Sequence, residues 1–154
     1  MSKSGIYAHF GSKEALQLAT IDEAAAIFRA VVIEPALHET TPHAQLQALC
    51  DHYLNHLRDR VFPGGCFFAS AVLEMGTRPG RVRDQVRSFQ LELFGLIATL
   101  VSRAQADGHL PGEDHRALAF EINGQFLAAS AAFVLNDDPA VLDLAGSILR
   151  RRLS

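Results

Sequence analysis

The sequence predicts an all-α fold, an antiparallel bundle of about five or six helices. Its 154 residues are the length of one domain, and a composition of 49% hydrophobic and 20% charged residues is sufficient for a buried core. Apolar residues recur at helical spacing along most of the chain, and glycines and prolines separate the segments that show this spacing. The composition favours a globular fold over a disordered chain.

The first helix is predicted from Ser12 to about Glu34, because apolar residues lie on two of its sides. A helix that is apolar on two sides is buried on two sides, so we expect it to cross the body of the molecule. Pro35 has no backbone N–H and is expected to end or kink this helix. The two apolar stripes are Leu16, Thr20, Ile27 and Val31, and Ile21, Ala25, Phe28 and Val32.

The second helix has a clear start signal, with Thr41 as the capping residue and Pro42 in the first helical position. It is broken by Pro63-Gly64-Gly65. Its apolar stripe comprises Leu46, Leu49, Cys50, Tyr53 and Leu57.

Three potential metal ligands, His52, His56 and Asp59, share one flank of this second helix. Two histidines one turn apart have the spacing of a metal site, but no Glu follows His52 as the H-E-x-x-H motif requires. The flank lies beside the apolar stripe, so we predict a solvated helix edge with no metal and no cofactor. A metal or haem site is the alternative.

The segment from Cys66 to Met75 is almost wholly apolar, and a lone strand would find no partner among helices. We therefore predict a short buried helix here, followed by a turn at 76–80. The clearest helix of the chain comes next and closes at Asp107-Gly108, and its charged residues fall mainly off the apolar stripe. That stripe comprises Val82, Val86, Phe89, Leu93, Ile97, Leu100 and Ala104.

The last two helices are predicted at about 111–135 and 139–152, separated by a turn in which Asp138 caps and Pro139 takes the first helical position. Both helices carry more apolar surface than one packed face requires. We therefore expect a homodimer through this helix pair, with Ala128 and Ala132 as candidate contact positions. A helix pair buried within a monomer is the alternative.

Charge and cysteine content restrict the class of protein. The net charge of −3 argues against a nucleic-acid binder over the whole surface. Lys3 and Lys13 are the only lysines, and residues 1–13 contain no acidic residue, whereas the remainder has 12 arginines and 17 acidic residues. Cys50 and Cys66 make neither a disulfide framework nor a metal motif. With no apolar run of membrane-spanning length and no signal-peptide pattern, we expect a cytoplasmic protein that does not associate with a membrane.

The first residues combine hydroxyl, lysine, tyrosine and histidine side chains, which are types that contact phosphates and base edges. Here the sequence resembles the TetR family of bacterial transcriptional regulators. The resemblance rests on Ser2-Lys3-Ser4-Gly5-Ile6-Tyr7, on Phe10, and on Lys13-Glu14-Ala15-Leu16. A second part is similar to the regulatory domain of one TetR subgroup and comprises Gly64-Gly65-Cys66-Phe67-Phe68-Ala69-Ser70-Ala71 and Arg78-Pro79-Gly80-Arg81-Val82-Arg83.

The resemblance implies that residues 1–13 are the remnant of a helix-turn-helix DNA-binding domain and that residues 14–154 are a ligand-binding and dimerisation domain. It places Tyr7 and Lys13 on phosphates of operator DNA, and Lys3, Ser4 and His9 in or beside the major groove. A helix-turn-helix needs two helices before the recognition helix. We therefore expect the 154-residue chain to bind DNA poorly or not at all, and a longer gene product to bind an operator as a dimer.

The resemblance also implies a pocket for a small apolar ligand in the larger helical domain. We expect an apolar cavity between the first long helix and the helices at 81–107 and 114–135. Asn123 or Gln125 should lie at its wall, because these amides interrupt an otherwise apolar helix and need partners. The candidate ligand-binding residues are Phe28, Phe67, Ser70, Phe94, Asn123 and Phe126.

With the resemblance, the sequence predicts a ligand-responsive transcriptional repressor of the TetR type and not an enzyme. No nucleophile elbow, phosphate-binding glycine loop or His-Cys motif occurs, so no catalytic residue is assigned. A helix start near Cys66 could lower the pKa of its thiol, but its aromatic neighbours favour an inert buried thiol. The alternatives are a ligand-binding and dimerisation bundle without DNA binding, and a metal- or haem-dependent helical protein.

Overall fold

A computed structural model of the protein describes residues 11–110 and 112–154, and these residues form helices and turns with no strand among them. The predicted all-α fold is confirmed. A π-helical segment, Arg29–Ile33, joins the first two α-helices into one continuous helix. The α-helices are α1 (Lys13–Phe28), α2 (Glu34–Leu37), α3 (Pro42–Arg58), α4 (Phe67–Met75), α5 (Arg81–Ala106), α6 (His115–Asn136) and α7 (Ala140–Arg152).

The π-helical segment shows how the chain accommodates Pro35. Proline cannot donate to the carbonyl oxygen four residues earlier, and its ring crowds that carbonyl group. The N–H of Glu34 instead bonds to the carbonyl oxygen of Arg29, which is the wider hydrogen bond of a π-helix. The predicted kink is therefore a π-helical turn, and the helix continues past Pro35 to Leu37.

The predicted antiparallel packing is only part of the observed arrangement. Helices α1 and α5 run in the same direction, because Glu14 pairs with Arg81 at their first turns and Arg29 pairs with Glu92 farther along both. Helices α3 and α6 also run in the same direction. Their contacts are Tyr53 with Phe126 and Arg60 with Asp137.

Five aromatic rings, each from a different helix, fill the centre of the molecule. Phe68 stacks on Phe89 with 3.6 Å between ring centroids, and Tyr53 stacks on Phe126 at 3.9 Å. Phe28 meets Phe89 edge-on at 5.3 Å. The buried Tyr53 hydroxyl donates to the carbonyl oxygen of Phe126 at 3.0 Å, so its polar atom is satisfied within the core.

The turn before α4 packs closely on α6. Gly65 has φ +81°, and a Cβ atom there would lie 2.7 Å from Cγ2 of Val134. Next to it, the backbone N–H of Cys66 donates to Oγ of the buried Ser130 at 3.1 Å. Helix α4 is as short as predicted but buried on one side only, since Leu73 is 79% exposed.

Two predicted caps are present. Oγ1 of Thr41 accepts a hydrogen bond from the N–H of Ala44 at 3.2 Å, and α3 begins at Pro42. Oδ1 of Asp138 accepts from the N–H of Ala140 at 2.9 Å. Helix α7 begins at Ala140, so Pro139 precedes the helix instead of occupying its first position.

Candidate functional site

The space between α1, α5 and α6, where the sequence predicts a ligand cavity, is almost filled. What remains is an interior cavity of about 10 Å³, which has room for no more than about one water molecule. Among the described residues, the apolar cavity expected here corresponds only to this small space, because the aromatic rings of the core pack closely. Three of the predicted ligand residues line the interior cavity, namely Phe28, Asn123 and Phe126.

Two wider spaces border α4. The first, which we call the apolar groove, lies between α4 and α6 and has a volume of about 250 Å³. Ser70, another predicted ligand residue, is one of its few polar groups, and its hydroxyl donates to the carbonyl oxygen of Gly64 at 3.4 Å. The groove is otherwise lined by Ala69, Val72, Leu73, Leu127, Ser130, Ala131, Val134 and Leu135.

The second space, which we call the arginine groove, lies between α4, α5 and α6 and has a volume of about 300 Å³. Val72 and Leu127 line both grooves, so the two grooves adjoin. Gln90 and Asn123 line both the arginine groove and the interior cavity. The arginine groove is completed by Gly76, Arg83, Val86 and Arg87.

The remaining predicted residues lie elsewhere. Phe67 is half-buried and packs on Phe62 and Phe68, with ring centroids 5.9 Å and 5.3 Å apart. Phe94 is half-buried at the edge of the core. Gln125 lies in a different depression, between α6 and α7. The predicted ligand residues therefore divide between the interior cavity, the two grooves and the packing around them.

Three residues of the arginine groove were not predicted as site residues. Arg83, Arg87 and Gln90 follow one another at spacings of four and three, which places them on one face of α5. By periodicity alone, the arginines fall off the apolar stripe, on the polar side of this helix. The signal that could have found them is that this face borders the apolar stripe at Val86.

The structure corrects the predicted solvated flank of α3. His56 is only 3% exposed, and neither of its ring nitrogens has a hydrogen-bond partner among the described residues. It shares the buried face of α3 with Tyr53, and its ring meets Phe28 edge-on at 5.6 Å. Burial lowers the pKa of His56, and the charge of Asp59 offsets part of this effect. The described residues contain no group of three or more side chains that could hold a metal ion, and His52 is half-buried.

Both cysteines are buried thiols. Burial raises the pKa of Cys50 to about 12, and it also raises the pKa of Cys66. Cys66 occupies the cap position of α4, where the backbone N–H groups of Phe68 and Ala69 offset only part of the effect of burial. Cys66 is buried as predicted, and its raised pKa is consistent with the predicted inert thiol.

The residues assigned to DNA fall mostly outside the described part of the chain. Lys13 is exposed as the first residue of α1, and it lines a groove of about 370 Å³ against the turn between α4 and α5. This groove carries both signs of charge, from Glu14, Glu74, Arg78, Arg81 and Arg83. The candidates outside the described residues are Lys3, Ser4, Tyr7 and His9.

Helices α6 and α7 expose apolar side chains, as their composition predicts. Phe120 is 70% exposed, Leu135 is 83% exposed and Leu144 on α7 is 59% exposed. Ala128 is exposed between them, and Ala132 is half-buried. We call the surface on α6 the exposed apolar face; it comprises Phe120, Gly124, Leu127, Ala128, Ala131 and Leu135.

Helix α6 is also long and apolar enough, by length and composition, to cross a membrane. This is weak evidence, because the core helix of a soluble protein meets the same two criteria. One side of α6 carries Ile122, Phe126 and Phe133, all of which are buried in the core. The hydropathy of α6 is therefore that of a core helix with a second apolar side.

A family model described as the tetracyclin repressor-like C-terminal domain matches residues 42–149. The match includes α3 to α6, both grooves and most of α7. None of the curated proteins matches the chain significantly.

Solved structures of TetR regulators share the fold. One from Chloroflexus aurantiacus is 28% identical, with a TM-score of 0.81, covering 94% of this chain and 73% of its own. One from Agrobacterium tumefaciens is 22% identical, with a TM-score of 0.84 and coverage of 98% and 80%. AibR, solved with isovaleryl coenzyme A and operator DNA, is 18% identical, with a TM-score of 0.77 and coverage of 97% and 79%. At the two lower identities, the likeness is one of fold.

Proposed function

Because this chain belongs to the TetR family of transcriptional regulators, we propose that it is a ligand-responsive repressor that acts on operator DNA in the cytoplasm. The observation that carries the proposal is the match of 42–149 to the C-terminal domain of the family, in the part of the chain that holds both grooves. AibR was solved with isovaleryl coenzyme A and operator DNA, which supports a small ligand and DNA as partners for this chain. We assign no catalytic residue.

The proposed ligand site is centred where the interior cavity meets the grooves. Asn123 lines both the interior cavity and the arginine groove, and Ser70 lines the apolar groove, so these two offer polar contacts to a ligand. Phe28 and Phe126 form the inner wall. In this proposal Phe67 and Phe94 act by packing behind the site.

The proposed DNA contacts lie in residues 1–13. Lys13 stands at the N-terminus of α1, where its cation gains nothing from the helix dipole, so an exposed lysine is better placed to meet a phosphate. We propose that residues 14–154 form the ligand-binding and dimerisation domain. The proposed DNA-contacting residues are Lys3, Ser4, Tyr7, His9 and Lys13.

An electrophoretic shift assay on DNA from the chain's own promoter tests this function. It compares the 154-residue chain with an extended form that carries two further helices before residue 1. We expect the extended form to bind specifically, with affinity that falls steeply as salt rises. Lys13→Ala should weaken binding to all sequences alike, since a phosphate contact carries no sequence information, whereas Lys3→Ala or His9→Ala should change the preference between sites.

Arg103→Gln is the control for this assay, because Arg103 is an exposed arginine near the far end of α5. It should leave the shift unchanged. Specific and tight operator binding by the 154-residue chain would contradict the proposed need for further helices. An extended form that dimerises but never binds DNA would favour the alternative of a bundle without DNA binding.

The exposed apolar face supports assembly as a homodimer. Phe120 and Leu135 lie near opposite ends of this face on α6, and Gly124, Ala128 and Ala131 lie between them. Small residues in the middle of a helix face allow two helices to approach closely, and the larger ones provide apolar area. A second copy carries the same face, so a two-fold arrangement covers both at once.

A further inference from the structure

We propose that the apolar groove and the arginine groove together bind one small organic anion with an apolar chain. Its carboxylate, or a similar acidic head, lies at Arg83 and Arg87. Its chain passes Val72 and Leu127 into the apolar groove. This inference rests on the proposed function, since it names the chemical class of the ligand.

The two grooves are continuous in the way that such a ligand requires. Val72 of α4 and Leu127 of α6 line both, so an apolar chain can pass from one groove to the other while remaining on hydrocarbon. Beyond them lie Leu73 and Ala131, which make the far part of the apolar groove hydrophobic. Burial of a methylene chain along this path removes apolar surface from water and is therefore favourable.

The charge at the other end is uncompensated. Arg83 and Arg87 lie one helical turn apart on α5, and neither has a carboxylate oxygen within 4.0 Å among the described residues. Residues 1–10 contain no acidic side chain that could supply one. Glu74 lines the neighbouring groove beside Arg83 but makes no ion pair with it.

Like charges at this spacing repel one another, and an anion between them would relieve the repulsion. Of the other ten arginines, six are paired with carboxylates of the described residues and four (Arg78, Arg103, Arg116 and Arg151) are not, but Arg83 and Arg87 are the two that line this groove. Charge complementarity therefore favours an anionic head over a neutral or cationic one.

Two amides complete the polar end. Gln90 and Asn123 line the arginine groove, and neither side chain hydrogen-bonds to another described residue. Both are half-buried and border the interior cavity, so their N–H groups are available to a second oxygen of the ligand. An acid with an oxygen function near its head would use all four polar side chains.

Calorimetric titration of the 154-residue chain with octanoate and with 1-octanol tests the proposal, because the two probes share a chain length and differ in charge at neutral pH. We expect octanoate to bind about tenfold more tightly than 1-octanol, and its affinity to fall with added salt. Arg83→Gln and Arg87→Gln should each weaken octanoate by about fivefold to tenfold and leave 1-octanol unchanged. Arg103→Gln, on the same helix but outside both grooves, should change neither affinity.

Val72→Phe probes the passage between the grooves and should weaken both probes, because the larger side chain obstructs the path they share. The proposal is overturned if octanoate does not bind, if the two probes bind equally, or if Arg87→Gln leaves octanoate unaffected. None of these results would contradict the proposed function, because the shift assay tests DNA binding without either probe. Loss of operator binding in that assay would in turn leave the titration result intact.

Discussion

His56 is a titratable side chain held in an aromatic core. Its two ring nitrogens lack hydrogen-bond partners among the described residues, and Phe28 packs against its ring. The neutral imidazole leaves one N–H donor and one acceptor nitrogen without partners, whereas the imidazolium would in addition be a buried charge next to apolar rings, which costs more. Folding therefore favours the neutral form, and His56 makes stability depend on pH.

Acidification should destabilise the protein through His56. Burial lowers its folded pKa below the unfolded value of 6.5, so between the two pKa values the unfolded chain binds more protons. The contribution of His56 to the free energy of unfolding should be constant above pH 6.5. It should fall as the pH drops below 6.5, until the folded pKa is reached. Urea unfolding at about pH 7.5 and at about pH 5.5 measures the difference.

His56→Leu should reduce that difference, and His38→Gln should retain it, because His38 is exposed. Equal pH dependence in the unaltered chain and in His56→Leu would show that other groups are responsible.

Both the backbone conformation at position 65 and the atoms around it require a glycine there. Its φ of +81° is strained for any residue with a side chain, and a Cβ atom would lie 2.7 Å from Val134 Cγ2 and 2.8 Å from Ser130 Oγ. Gly65→Ala should therefore lower the free energy of unfolding by about 2 kcal/mol. Gly64→Ala is the matched control, since its Cβ atom would meet nothing within 4 Å. Urea titrations that give equal losses for the two variants would contradict this account.

At the scale of the helix, α3 depends on its N-terminal cap. Oγ1 of Thr41 accepts from the N–H of Ala44, one of the amides that the first turn leaves without a helical partner. Thr41→Ala should lower the free energy of unfolding by about 1 kcal/mol. Thr40→Ala, one residue earlier and exposed, should have little effect, and thermal unfolding of the two variants measures the contrast. A smaller loss at Thr41 than at Thr40 would show that the cap is dispensable.

The same elements show what local sequence can predict. The Thr41 cap and the disturbance at Pro35 were predictable, because each depends on backbone chemistry within a few residues. The shared direction of α1 and α5 was not, because periodicity identifies a buried face but not the helix that covers it.

The site was less predictable than the helices. Asn123 was identified as an amide that interrupts an apolar helix, and the structure places it at the junction of the interior cavity and the arginine groove. Periodicity places Arg87 off the apolar stripe of α5, which predicts a solvated position. The groove that Arg87 lines is formed by α4 and α6 packing beside this side of α5, and the sequence of α5 does not show this packing. His56 was wrongly predicted to be solvated. Periodicity places it beside the apolar stripe of α3, but the buried face of α3 is wider than that stripe and includes His56.

At the scale of the whole molecule, the grooves and the exposed apolar face share residues. Leu127, Ala131 and Leu135 line the apolar groove and are also exposed on α6. A ligand chain in the groove and a second copy on the face would therefore contact the same side chains. Under the proposed function, this gives ligand binding and assembly a common set of contacts, which is a physical route for coupling between them.

Ala128 tests the assembly itself, because it lies on the exposed apolar face but lines neither groove. We expect the unaltered chain to sediment as a dimer at micromolar concentration. In Ala128→Glu, a carboxylate would be buried against an apolar partner surface, and the cost of its desolvation should shift the equilibrium to monomer. Ala26→Glu, at an exposed alanine of α1, adds the same charge away from this face and should remain dimeric. A monomeric unaltered chain, or a dimer that tolerates glutamate at Ala128, would show that a different surface or no surface serves for assembly.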